Sequence, residues 1–180
     1  MTTRAVRRIV AGVLTAVALV LTAVAVPAAH ADTAQLLSCV GSGSNTYQPG
    51  VTATPGLVTV SSRADYGPCV STGSPQITSG HFAVTGAGIV SCFAGSFAIT
   101  VTITWNTGET STITAVGIVA QRPANEVVVV YQGTVTAGRF LGGAVVMTAA
   151  LLNTTPELCF TPQGVTGTSG PATILITQVA

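Results

Sequence analysis

The chain has 180 residues, six basic side chains (all arginine, no lysine) and five acidic ones, for a formal net charge of +1. So little positive charge excludes a nucleic-acid binder, which needs clustered Lys or Arg to neutralise phosphates, and a polybasic membrane-surface binder. It does not indicate disorder, because the chain is dense in Val, Thr and Ile, which disordered segments lack.

The first segment reads as an export signal. Arg4, Arg7 and Arg8 precede an uncharged apolar run from 9 to 26, Pro27 ends it, and Ala29-His30-Ala31 places small residues where a signal peptidase cuts. This predicts a cleaved secretory leader over 1–31, for which the alternative is a membrane span of barely sufficient length. The mature chain is then 32–180, extracellular and free of the membrane after cleavage. Its arginines, Arg63, Arg122 and Arg139, face five acids, Asp32, Asp65, Glu109, Glu126 and Glu157, an excess of two negative charges. About 150 residues can bury roughly 70% of their unfolded surface, enough for a single core and one domain.

Proline and glycine punctuate that domain, and the runs between them alternate with the period of two that marks strands. A weak strand is expected over 40–47 and a clearer one over 57–64. The segment 77–90 holds at least one more, around 82–85. The strongest signal is 97–105: Phe97, Ile99, Val101, Ile103 and Trp105 fall on one face, with Ala98, Thr100, Thr102 and Thr104 on the other. Asn106-Thr107-Gly108 supplies a turn, and 110–120 returns as the second arm of a hairpin. Its alternation slips near Gly117, which predicts a bulge there. The segment 127–136 opens with four valines, apolar on both faces, and is expected inside. The segment 144–152 mixes helical and strand composition, with its valines favouring strand, and 173–179 closes the chain. About eight short strands with turn signals predict an all-β antiparallel sandwich or barrel.

Cysteine placement adds a constraint. Cys39, Cys69, Cys92 and Cys159 are an even set in an exported chain, which reads as two disulfides. No two are close enough for the paired ligands of a zinc site. If the strands run antiparallel in order, Cys39 and Cys69 lie at one end of the sheet and Cys92 and Cys159 at the other. Only the pairing Cys39–Cys69 and Cys92–Cys159 keeps partners together. In the chain-entropy picture these bridges restrict the unfolded state by about 3.7 and about 4.4 kcal/mol.

A set of local motifs runs through the mature chain: Tyr47, Pro49 and Gly50 at a turn, then Gly67-Pro68-Cys69. Ile77-Thr78-Ser79-Gly80 and the hairpin Ile103-Thr104-Trp105-Asn106-Thr107-Gly108 follow, then Gly138-Arg139-Phe140 and the late Cys159. This pattern resembles a group of small secreted four-cysteine β proteins of actinomycetes. The resemblance covers nearly the whole mature chain. Its motifs are turns and cysteines, so it implies a fold and brings no activity and no functional residue.

The search for chemistry returns little. The mature chain has one histidine, His81, and a catalytic role for it requires Asp65 and a serine to converge on it; no Gly-x-Ser-x-Gly elbow occurs. Glu109 and Glu126 fall at opposite ends of the strand order, so no carboxylate pair for glycoside hydrolysis is expected. The protein is therefore expected not to be an enzyme, with no catalytic residue, no metal and no cofactor. Binding remains. Tyr47 and Tyr66 lie near turns and are the candidates for an aromatic platform on a glycan, whereas Trp105 belongs to the apolar face of its strand. The reading favoured by the sequence is a non-catalytic extracellular domain that binds a cell surface or polysaccharide. Its alternative is a carrier of an apolar small molecule, compatible with the scarcity of charge and with Gly133, Gly142 and Gly143, which would let backbone approach a ligand. Weaker readings are a protease inhibitor using the loop 158–162 and a water-ordering threonine array, Thr100, Thr102 and Thr104 beside Thr110, Thr112 and Thr114. The sequon at Asn153 is taken as coincidence.

Overall fold

Inward apolar and outward polar residues alternate along eight strands, and this places all of them in one sheet that closes on itself. The computed structural model describes residues 35–122, 126–152 and 154–178; the expected leader over 1–31 and Asn153 of the sequon lie outside them. The strands are β1 (Gln35–Val51), β2 (Gly56–Ser71), β3 (Gly80–Val90), β4 (Ala94–Trp105), β5 (Thr110–Arg122), β6 (Glu126–Gly138), β7 (Ala144–Leu152) and β8 (Val165–Gln178), with a 3-10 turn over Pro156–Phe160 before β8. Each pairs antiparallel with the next, and β8 pairs antiparallel with β1. Of the two architectures left open by the sequence, the chain forms the barrel.

Several elements depart from expectation for identifiable reasons. The weak first strand is the longest, 17 residues. Its Gly- and Ser-rich sequence has little strand propensity of its own, but it is held on both sides, by β2 and by β8. The bulge expected near Gly117 is not there. Between β5 and β6, Thr112 pairs with Ala137 and Ile113 with Val135, so Thr136 is the extra residue. The alternation slips at Gly117 because Val116 and Ile118 are apolar yet point outward, 51% and 62% exposed. Gly117 sits inward, opposite Tyr131. The valines of β6 lie inside or partly covered, Val128 and Val129 buried and Val127 and Val130 half-buried.

The two disulfides join Cys39 to Cys69 and Cys92 to Cys159, as strand parity requires. Cys69 lies within β2 rather than after it, directly opposite Cys39. The second bridge links the β3–β4 connection to the 3-10 turn, crossing the barrel mouth over β1 and β2. The two ends of the barrel are named below for Trp105 and for Cys92.

The Trp105 end is packed shut. Trp105, Ile103, Ile113, Ile176, Leu37 and Ile77 are each 2% exposed or less. Gly80 is required under the indole, where a Cβ would come within 2.4 Å of Trp105 Cε3. The β2–β3 loop folds over this end, and the Asn106 side chain bonds it at three points. Thr78 N and Ser79 N donate to Asn106 Oδ1 at 2.9 and 3.2 Å, and Asn106 Nδ2 donates to the Gln76 carbonyl at 2.9 Å. Phe140, in the β6–β7 loop, meets Trp105 edge-on at 6.1 Å. It takes a left-handed φ of 65°, which is unusual for a residue with a Cβ. Arg139 lies over the Phe140 ring at 5.2 Å and bonds Ser74 Oγ through Nη2, while its Nε is buried without a partner.

Ser111 ties this end together. It is fully buried, accepts from Trp105 Nε1 at 2.9 Å and donates to the Arg139 carbonyl at 2.6 Å. Ser111→Ala removes the partner of the buried Trp105 Nε1 donor and of the part-buried Arg139 carbonyl, so we expect a loss of about 1–3 kcal/mol in stability. It is read as a lower denaturant midpoint with an unchanged slope.

Candidate functional site

The other half of the barrel is built of shorter side chains and is not filled. At the Cys92 end Val51, Val58, Val90 and Val165 form a second, smaller core with Cys92 and Cys159. Beneath it lies a chamber of about 60 Å³, walled largely by Val51, Val60, Val90, Val127, Val129 and Val165. Its polar contribution is concentrated at one place. Tyr47 Oη is 2.8 Å from Thr168 Oγ1 and accepts from Asn45 Nδ2 at 3.2 Å. A second void of about 40 Å³ lies deeper, reached past Asn45, and is bordered by Tyr66, Phe82, Val84, Ile99 and Tyr131.

A third space, about 120 Å³, is in the barrel wall. β3 and β4 pair at Gly80–Trp105, at His81–Thr104 and again at Val90–Gly95. Among the described residues no backbone pairing joins 82–89 to 96–103. The strands part in the middle and meet again, while each keeps its full ladder on the other side, β3 with β2 and β4 with β5. The local sequence explains the separation. Gly86 and Gly88 face inward and give β3 no side chain to pack against β4; a Cβ built at Gly86 meets nothing within 4 Å. This wall opening shares Val60 and Val90 with the end chamber, and Ser62, Val84 and Ile99 with the deeper void. The three spaces therefore adjoin.

The residues singled out from sequence are distributed differently from expectation. Tyr66 is 5% exposed and packs inside, its ring 6.2 Å from Phe82. Tyr47 also points inward, at the end chamber. Tyr66 stands opposite Gly41, six residues before Tyr47 on β1, a separation of roughly 20 Å along the strand. They do not form a shared outer platform. Gly133 does not admit a ligand either: a Cβ there would lie 2.0 Å from the Thr114 carbonyl, so it lets β5 and β6 approach. Gly142 turns the chain with φ +82°, and Gly143 packs on Phe140 and Ile176. His81 and Asp65 are exposed and directly opposite each other, with Ser42 opposite Asp65. The acid thus stands between the hydroxyl and the imidazole, and no hydrogen bond or ion pair joins the three. The threonines pair as rungs on the outer face, Thr100–Thr114, Thr102–Thr112 and Thr104–Thr110. Missed from sequence were Asn45 and Thr168, which have no periodic signal, and the wall opening. The one available hint was two glycines, Gly86 and Gly88, two apart within a strand.

Tyr131, passed over as a site residue, interacts with both of the other tyrosines. Burial pushes the phenols of Tyr66 and Tyr131 well above the ordinary value, with a second contribution to Tyr66 from Tyr131 and to Tyr131 from Tyr47. Each therefore holds its proton in the fold at a pH where the unfolded chain has lost it. Their stabilising effect is complete below about pH 10, the unfolded value, and is lost as pH rises beyond it. We expect stability to fall above about pH 10 by up to about 1.4 kcal/mol per pH unit for each tyrosine. In a spectrophotometric titration these two phenols should ionise only as the protein unfolds. The wall opening has its own signature: amides of 82–89 and 96–103 that point across it should exchange hydrogen roughly a hundredfold faster than those pointing to β2 and β5. Equal protection would mean the strands are paired in solution. No protein-family model matches the chain, and no curated protein or solved structure matches it, so its functional reading rests on this geometry.

Proposed function

We propose that this protein is an extracellular, non-catalytic binding protein whose ligand is an apolar small molecule held in the valine-walled chamber and the spaces that adjoin it. The observation that carries the reading is the chamber itself. It is an unfilled apolar enclosure in the half of the barrel opposite the packed Trp105 end, with a few converging polar groups, Tyr47, Thr168 and Asn45, at one side. Such a site is the usual form of a small-molecule pocket. Two disulfides and an apolar leader followed by Ala29-His30-Ala31 support export. The polysaccharide reading favoured by sequence took Tyr47 and Tyr66 as its candidate platform, and the inward direction of both side chains lends weight to the interior instead. The size of the wall opening, about 120 Å³, approaches the ~150 Å³ that holds a benzene ring. The ligand is then an aromatic ring or a short branched chain rather than a long lipid.

Val60 tests this directly, because it borders both the chamber and the wall opening and is only half-buried. Fluorobenzene, a single uncharged ring, should bind the wild-type protein and give a separate or shifted fluorine resonance. Val60→Phe should weaken that binding at least tenfold, about 1.4 kcal/mol, while leaving the melting temperature unchanged or raised, since the ring enters empty space. Wild-type affinity in Val60→Phe would place the ligand elsewhere.

A further inference from the structure

The barrel has three conceivable ways in, and two of them are obstructed. At the Trp105 end Ile77 is fully buried and Asn106 pins the loop that carries it. At the Cys92 end the mouth is strapped. The Cys92–Cys159 bridge crosses it, Ala53 N donates to the Cys159 carbonyl at 2.7 Å, and Cys92 N donates to the Thr52 carbonyl at 2.9 Å. Three connections are thus tied to one another over the chamber. The third way is sideways, between β3 and β4, where the wall opening leads to both inner spaces.

The register of that opening is informative. Gly80 pairs with Trp105 at one end and Val90 with Gly95 at the other. Between these rungs each strand advances by ten residues, so neither carries an extra one. A bulge would leave an unequal count and a permanently disordered ladder. Here the two free edges face each other in register, and they can zip together rung by rung without any strand sliding. Sliding by one residue would exchange the inner and outer faces of a strand, which the packed Trp105 end forbids. The opening is therefore a seam that can part and close while the rest of the barrel keeps its pairing. Its lining carries no charged side chain: Val60, Val84, Val90 and Ile99 are apolar, and Gly86 and Gly88 offer only backbone.

We infer that the seam between β3 and β4 is the doorway through which an uncharged apolar ligand enters and leaves the barrel interior. This rests on the binding reading above and adds the route. It also adds a selection rule, since a ligand that must slip between two bare peptide edges gains from one hydrogen-bonding group but finds no partner for a formal charge.

The test closes the seam. Ala87 and Ala98 stand at corresponding positions of the shared register, both exposed on the outer face and both lining the opening. In the oxidised double variant Ala87→Cys, Ala98→Cys, the cross-link holds the edges together. The same variant with its two new thiols alkylated stays open. Fluorobenzene is the probe, its uptake and release read from fluorine NMR exchange between free and bound resonances. We expect oxidation to slow both uptake and release at least tenfold relative to the alkylated form. Gly86→Trp supplies a second test that needs no cross-link, because a side chain there meets open space; the indole should obstruct the seam and slow uptake at least tenfold. Unchanged rates in both variants, with the wild type binding, would overturn the doorway and leave the chamber standing. A wild-type protein that takes up no probe would overturn both.

Discussion

Pairing of the first strand with the last is the constraint on which the rest of this molecule depends. The β1–β8 ladder runs from Gln35–Gln178 to Thr46–Gly167 and resumes at Val51–Val165. It converts a meander with two free edges into a barrel with none at its ends. Eight strands fix the cross-section at about the width that side chains can fill. Within that fixed width, residue size decides where the interior is solid. The Trp105 end uses Trp105, Phe140, Leu37 and several isoleucines, all buried. The Cys92 end uses valines at Val51, Val58, Val60, Val90, Val129 and Val165. Each is shorter than isoleucine or tryptophan while the strand number is the same, and the shortfall in volume is the chamber.

The outer surface follows from the same closure. With no lysine and few charges, the protein carries threonine and serine on many outward positions, among exposed apolar side chains such as Leu57, Val70, Val116 and Ile118. On β4 and β5 these stand as directly opposed Thr–Thr rungs, one of which is close enough for a hydroxyl–hydroxyl bond at 3.2 Å. Cross-strand threonine pairs are a good way to stabilise an exposed sheet face. That accounts for the array without a specialised role.

Much of this was legible in the sequence because it follows from parity and period. A period of two over 97–105 placed Trp105 inside, and strand parity chose one disulfide pairing from three. Both arguments need only the order and direction of strands. What failed needed distance or volume. Tyr66 was read as a surface residue because it lies beside the Gly67-Pro68 turn signal, yet that signal is a bulge within β2, and Tyr66 stays in the inward phase. Gly133 was read as space for a ligand, yet the space is taken by the neighbouring strand. The first strand was underrated because propensity is local, while a strand held on both sides draws its stability from its neighbours. The wall opening could not be read at all. Two glycines in a strand announce a weak ladder, but on which side it fails depends on what the neighbours pack against.

The placement of the covalent bonds suits a barrel that opens on one seam. Cys39–Cys69 locks β1 to β2, and Cys92–Cys159 ties the end of β3 to the segment before β8. The bridges therefore hold β8, β1, β2 and β3 as one connected group. On the far side β4 to β7 are joined to each other by continuous ladders. These two groups meet at two boundaries. One is β7–β8, paired over most of its length and filled by Met147, Ile174, Val145 and Ile176. The other is β3–β4, where pairing is confined to the ends. A motion that parts β3 from β4 breaks no disulfide and few hydrogen bonds, and leaves the β7–β8 boundary as its hinge. Parting any other pair would disrupt a full ladder, a bridge or both. The least-held seam of the barrel is also the one that leads to its emptiest interior, and that coincidence is the strongest physical reason to regard the opening as a working part of the fold.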